Sequence, residues 1–259
     1  MTATTIKIDE RHVATLTLNR PVIHNAFDDA LIREVTTALR DLEKNIELRA
    51  LVLASTGSSF SAGADLQWMK RMSSASMEAN QRDAEELSGM LRRLQLFPRP
   101  TIAVVQGAAY GGGVGLIAAC DIAIASELAS FSLSEVKLGL IPSVIGPYVI
   151  AAIGERQARR YFLSAEKFTS AEALRIGLVH EVVAPDAMAR TLEKVTDSIL
   201  LGGPKAQVAA KRLINDIAGK PIGPDMLDDT ARRIAAIRSS DEGKEGVAAF
   251  LEKRKPNWT

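Results

Sequence analysis

Near the N-terminus apolar and polar positions alternate. Thr5-Ile6-Lys7-Ile8 and Val13-Ala14-Thr15-Leu16-Thr17-Leu18 have the two-residue period of half-buried strands, and the polar stretch Glu10–His12 between them predicts a hairpin. Arg20-Pro21 breaks the alternation. From Asn25 the period changes: Phe27, Leu31, Val35, Ala38, Leu39 and Leu42 recur at helical spacing, which predicts a helix. Ala50–Ala54, Thr101–Val105 and Asp121–Ala125 are continuous apolar runs, the signature of strands buried on both faces. Between the first two of these runs, Glu78–Leu96 reads as a long helix stopped by Pro98 and Pro100. A short helix through Leu116–Ala119 precedes the third.

From about Ser143 the pattern is helical: Tyr148–Ala152, Glu155–Leu163, Ser170–Arg175, Ala187–Leu201, Lys205–Ile217, Asp225–Ile237 and a charged tail helix, Asp241–Lys253. One short strand, Leu178–Val183, interrupts them. Buried strands alternating with helices predict an α/β fold. The layout expected is a core over residues 1–200 and a helical C-terminal region over 201–259.

Composition narrows the function classes. The chain has 259 residues, 47% hydrophobic and 24% charged, a globular profile with ample core. Its formal net charge of +1 offers no long-range attraction to nucleic acid or to an anionic membrane. No stretch approaches the ~18 apolar residues of a membrane span. The N-terminal segment reaches charged residues before any apolar run, so no secretory leader is expected, and the expected location is cytoplasmic. Cys120, the single cysteine, cannot form an internal disulfide. With His12, His24 and His180 far apart and no paired cysteines, no metal site is expected.

Two glycine-bearing loops follow buried strands and lead toward helices: Phe60-Ser61-Ala62-Gly63-Ala64-Asp65 and Gly107-Ala108-Ala109-Tyr110-Gly111-Gly112-Gly113. Glycine permits close backbone approach and left-handed geometry. A helix starting at such a loop leaves free N–H groups at its N-terminus. Two loops of this kind facing each other could hold one oxygen between two N–H donors. The second loop is not a dinucleotide fingerprint, since Leu116 stands where a third glycine is needed. It lacks the Gly-Lys-Ser/Thr of a P-loop, and the chain has no G-x-S-x-G nucleophile elbow. Tight strand-to-helix packing is the alternative explanation of these glycines.

These loops, with Ala118-Ala119-Cys120-Asp121, Phe131–Pro142, Arg20-Pro21, Asn25-Ala26, Ser170–Ala173, Gly177–Val179 and Glu252–Pro256, resemble the crotonase, or enoyl-CoA hydratase/isomerase, family in the same order along nearly the whole chain. The resemblance implies a crotonase-like spiral of ββα units with a helical C-terminal trimerisation region, and a homotrimer or dimer of trimers. It implies an acyl-CoA substrate, with coenzyme A belonging to the substrate and no separate cofactor, and neither a nucleic-acid nor a membrane partner. By position, Ala64 and Gly112 supply the oxyanion-hole N–H groups and Glu135 the catalytic carboxylate. Ile23, Ala62, Asp65 and Leu66 are the implied coenzyme A contacts, largely through backbone, and Lys253 an implied phosphate contact, of this or a neighbouring subunit.

The main departure is Gly115, which stands where classical hydratases of this family carry a second glutamate. A single glutamate also suits relatives that isomerise a double bond. Gly115 together with Ala62–Met72 and Ser132–Lys137 resembles the methylglutaconyl-CoA hydratase branch, associated with leucine or acyclic-terpene degradation. Hydration of a branched or carboxylated 2-enoyl-CoA is therefore the favoured expectation, double-bond isomerisation the alternative, and RNA binding or scaffolding on this fold a third. Lys70 and Arg71 are candidate partners for a second substrate carboxylate. The apolar flanks Leu133, Val136 and Leu138 predict a desolvated Glu135 with a raised pKa.

Overall fold

The computed structural model of the protein describes residues 2–259. Its core is built by repetition. Strands β1 (Thr4–Ile8) and β2 (Val13–Leu18) form the expected antiparallel hairpin, and α1 (Asp29–Glu43) follows. Next, β3 (Ala50–Ser55) and the short β4 (Ser59–Ser61) lead to α2 (Leu66–Ser73) and α3 (Met77–Gln95). The chain repeats this with β5 (Thr101–Val105), β6 (Ala108–Tyr110) and α4 (Gly112–Ala119). A third pass runs through β7 (Ile122–Ser126), β8 (Ser130–Ser132) and α5 (Gly146–Ser164). The next elements are β9 (Phe168–Thr169), α6 (Ser170–Arg175), β10 (Glu181–Val183) and α7 (Met188–Leu200).

Each pass gives one strand to each of two sheets. The longer strands form a six-stranded sheet in the order β1-β2-β3-β5-β7-β10, parallel from β2 onward. The shorter strands form a four-stranded sheet, β4-β6-β8-β9, with only the last pair antiparallel. This is the ββα spiral that the resemblance implied. The apolar runs at 50–54 and 101–105 end up in the middle of the larger sheet, which is why they lack alternation.

Several boundaries differ from the expectations. The predicted helix from Asn25 begins at Asp29, because Asp28 is its N-cap, accepting the Leu31 N–H at 2.8 Å. Before it, Asn25 closes a turn at φ +53° and Phe27 enters a parallel bridge, and both serve the site described below. The two helices predicted over 148–163 merge into α5 with a break at Gly154, whose φ is +76°. The predicted strand 178–183 shrinks to β10, since His180 and its neighbours lie in the turn that enters it. Helix α4 is apolar all round and buried from Gly113 to Ile117, so it sits inside the core with only its N-terminus directed at a loop.

The helices α8 (Pro204–Ile217), α9 (Pro224–Ser239) and α10 (Asp241–Leu251) complete the chain. Polar clasps attach them to the core. Lys211 pairs with Asp121 at 2.6 Å, and Asp121 also accepts from the Thr101 N–H and hydroxyl. Arg49, at the entry to β3, donates to the carbonyls of Leu200, Gly202 and Trp258 at 3.0, 2.8 and 2.9 Å. Arg49→Met removes a charged donor from all three and should cost about 2–3 kcal/mol, lowering Tm by roughly 5–10 °C in thermal unfolding. An unchanged Tm would show that the clasp adds nothing.

Candidate active site

The site begins with an isolated parallel bridge between Phe27 and Ala64. The Phe27 N–H donates to the Gly63 carbonyl and the Phe27 carbonyl accepts from the Asp65 N–H, both at 2.7 Å. A parallel bridge of this form uses the flanking groups of residues 63 and 65. It therefore turns the N–H of Ala64 itself to the opposite side, where it has no hydrogen-bond partner among the described residues. Gly63 takes φ +87°, and a methyl added there would lie 3.0 Å from the Tyr110 carbonyl. The first glycine loop thus lies directly against the second.

The second donor comes from the start of α4. Gly111 donates to the Ser132 carbonyl, and its own carbonyl accepts from Val114 and Gly115. That leaves the N–H groups of Gly112 and Gly113 without protein partners among the described residues, at the positive end of a buried helix. Gly112 packs on the Phe27 ring, which lies 3.4 Å from where a side chain would begin. Phe27 therefore touches both donors, holding Ala64 with its backbone and Gly112 with its ring.

Glu135 opens a short 3-10 turn, Glu135–Leu138, that follows β8. Its carboxylate lies over Gly111: a methyl on Gly111 would come within 2.9 Å of Oε1. The other oxygen, Oε2, is buried and has no hydrogen-bond partner among the described residues. Burial raises the pKa above the ordinary 4.5, partly offset by the residue's own backbone N–H. The predicted flanks are only partly responsible. Leu133 is fully buried and Val136 partly, but Leu138 is 61% exposed because the turn carries it outward. Ala64, Gly112 and Glu135, far apart in sequence, thus meet around Gly111.

Gly115 is buried inside α4, and a methyl there would fall 2.3 Å from Ile145 Cγ2. The space that a side chain at 115 would need is filled by Ile145, the residue preceding α5. Glu135 accordingly faces the loops without a second carboxylate from this helix.

The remaining expected residues fall into two groups. Ile23 ends a 3-10 turn, Pro21–Ile23, whose neighbour His24 accepts the Ala62 N–H at its carbonyl, at 2.9 Å. Ala62, Asp65 and Leu66 flank Ala64; the Asp65 side chain caps α2, accepting from Gln67 and Trp68 at 2.9 Å, and Leu66 is 75% exposed. Lys70 is exposed and makes no ion pair among the described residues, whereas Arg71 is already paired with Asp29 at 2.7 Å. Lys253 follows α10 with φ +55°. Two residues of the site, Phe27 and Ile145, are not marked as such by the sequence. Phe27 shares the helical spacing of the residues after it, and nothing in the sequence links residues 115 and 145.

Two sheets wound as a ββα spiral, with paired glycine loops meeting beside a buried carboxylate, are the arrangement of the crotonase fold. The chain belongs to the enoyl-CoA hydratase/isomerase family, whose sequence model matches residues 9–259. The crystal structure of an enoyl-CoA hydratase from Shewanella pealeana superposes with a TM-score of 0.96 at 44% identity, covering 99% of this chain and 96% of that one. A short-chain-enoyl-CoA hydratase of Clostridium acetobutylicum is 33% identical over 95% of this chain and 94% of its own. The 2,3-dehydroadipyl-CoA hydratase of Escherichia coli is 29% identical over 96% of each.

Two substitutions test this geometry. Because the folded pKa of Glu135 lies above its unfolded value, the residue favours the folded state when protonated, and that contribution is lost as pH rises through the raised pKa. At neutral pH Glu135→Gln should therefore have a Tm at least equal to the wild type while losing about 10²-fold or more of turnover. A destabilised but active variant would contradict the assignment. Gly111→Ala should cost about 1–3 kcal/mol at φ +47° and ψ −116° and also push the carboxylate aside, so kcat should fall beyond what the Tm change explains. Wild-type kcat would show that Glu135 need not sit over Gly111.

Proposed function

We propose that the protein adds water across the 2,3 double bond of an enoyl-CoA thioester, with Glu135 performing both proton transfers. The observation that carries this reading is a buried, unpartnered carboxylate oxygen beside a helix start whose first N–H groups are free. The thioester oxygen would lie between the N–H groups of Ala64 and Gly112. Ionised Glu135 takes a proton from water as the water oxygen attacks C3. The electrons of the double bond move through C2 to the thioester oxygen, giving an enolate that the two donors stabilise as its charge develops. Protonated Glu135 then returns the proton to C2, and the net change is addition of one water. With one carboxylate on one side of the acyl chain, hydroxyl and proton arrive on the same face. A raised pKa suits a group that must first accept and then donate.

The proposed substrate is branched or carboxylated, such as 3-methylglutaconyl-CoA. The relative named for 2,3-dehydroadipyl-CoA supports a substrate with a second carboxylate, and Lys70 is an available cation; Arg71 would first have to leave Asp29. For coenzyme A, we assign the backbone around Ile23, Ala62, Asp65 and Leu66 to the adenine and pantetheine, and Lys253 to the phosphates. The exposed side chains of Leu66 and Val22, at 75% and 93%, offer apolar surface for this. A homotrimer or dimer of trimers is part of the proposal, supported by exposed apolar residues on and around the C-terminal helices, Ile214, Leu227, Ile234 and Phe250 among them.

Double-bond isomerisation is the second reading, favoured by one observation: Ile145 fills the place where a second carboxylate would orient water. A panel of acyl-CoA thioesters followed by absorbance separates the two. Hydration bleaches the conjugated thioester, whereas isomerisation of a 3-enoyl substrate creates it. The expected result is bleaching, with 3-methylglutaconyl-CoA turned over faster than crotonyl-CoA. Faster turnover of crotonyl-CoA would overturn the carboxylated substrate, and absorbance gained from 3-enoyl-CoA without any bleaching of 2-enoyl-CoA would overturn hydration.

A further inference from the structure

Asn25 is fully buried and lies outside every role assigned so far. It and His24 are consecutive non-glycine residues in the left-handed region, with φ +53° and +52°. For an L-residue this conformation is unfavourable, less so for asparagine, and it persists only where surrounding structure enforces it. The enforcing contacts are those of the Asn25 amide. Oδ1 accepts from the Arg20 N–H at 2.8 Å, while Nδ2 donates to the carbonyls of Thr56 and Ser59 at 2.8 and 3.0 Å. One side chain thus ties the Arg20–Asn25 turn to the loop between β3 and β4.

The backbone of Asn25 carries this order onward. Its carbonyl accepts from the Ser61 hydroxyl at 2.9 Å, and the Ser61 oxygen accepts from the Gly63 N–H at 3.3 Å. Ser61 is fully buried as well. Two residues beyond Asn25, Phe27 makes the bridge that turns the Ala64 N–H outward. Three attachments of the donor loop, through Ser61, through the Ala62 N–H on the His24 carbonyl and through Phe27, therefore start at or just after the left-handed turn that Asn25 holds.

We infer that Asn25 is a positioning residue for the thioester carbonyl, acting through Ser61 and Phe27 to aim the N–H of Ala64. The inference rests on the oxyanion-hole reading above. An asparagine is needed because the site presents two carbonyls and one N–H, which an amide matches and a carboxylate does not. The left-handed backbone alone would be served equally well by glycine.

Asn25→Gly separates the two contributions, since it keeps the backbone conformation and deletes the amide. Donor misplacement should lower kcat by about 10-fold or more, with KM changed by less than about 3-fold. The second readout is the red shift of a bound 2,4-dienoyl-CoA, whose absorbance lies clear of adenine, measured in a Glu135→Gln background so that the probe is not consumed. Hydrogen bonds to the thioester oxygen produce that shift, and Asn25→Gly should diminish it. Ser61→Ala, a smaller change, should do the same in part, and it decides the matter if Asn25→Gly does not fold. Wild-type kcat with a full red shift in the folded variant would overturn the inference. If the probe bound to Glu135→Gln alone shows no red shift, the oxyanion-hole reading fails and this inference falls with it. A full shift there, undiminished by either substitution, removes only the role of Asn25.

Discussion

The parallel bridge between Phe27 and Ala64 is the constraint from which the rest of the site follows. It consists of only two backbone hydrogen bonds, both 2.7 Å, yet it decides which way the Ala64 N–H points. The ring of the same phenylalanine lies against Gly112, so the two donors share one support. The spiral makes this possible. Every pass through the chain ends a short strand of the smaller sheet close to the beginning of a helix, and successive passes stack those junctions beside one another. Loops well separated in sequence are brought edge to edge by strand pairing, β4 with β6 and β6 with β8.

Local conformations at these junctions are costly and are used for close approach. Gly63 and Gly111 have positive φ, and each is pressed against a group of the site, the Tyr110 carbonyl in one case and the Glu135 carboxylate in the other. Glu135 is the counterpart in electrostatic terms. Its buried oxygen lacks a partner, which raises its pKa and weakens the folded state at neutral pH. At the site an unpartnered carboxylate oxygen and two positive-φ glycines come together, and the surrounding apolar core and the clasps of Arg49 and Lys211 hold the scaffold that carries them.

The larger sheet was legible because its strands are long and buried on both faces, so Ala50–Ala54 and Thr101–Val105 stand out as unbroken apolar runs. The smaller sheet was not. Strands of two or three residues, such as Ser59–Ser61 and Ser130–Ser132, carry no period and are held by pairing across the spiral. The same limit applies at the site. The glycine loops and Glu135 were identifiable from residue type and resemblance, but Phe27 shares the spacing of the helix that follows it. Its extended conformation comes from Asp28 capping that helix and from pairing with residues 63–65. The filling of the Gly115 space by Ile145 is a tertiary fact with no local sequence signal.

The central claim is that one carboxylate, with its pKa raised by burial, performs both proton transfers. The pH dependence of kcat/KM for hydration of a 2-enoyl-CoA tests it most directly. The account predicts an acid limb of unit slope, governed by one group with an apparent pKa above the ordinary 4.5. A limb of slope two, or a single limb centred at or below 4.5, would contradict it.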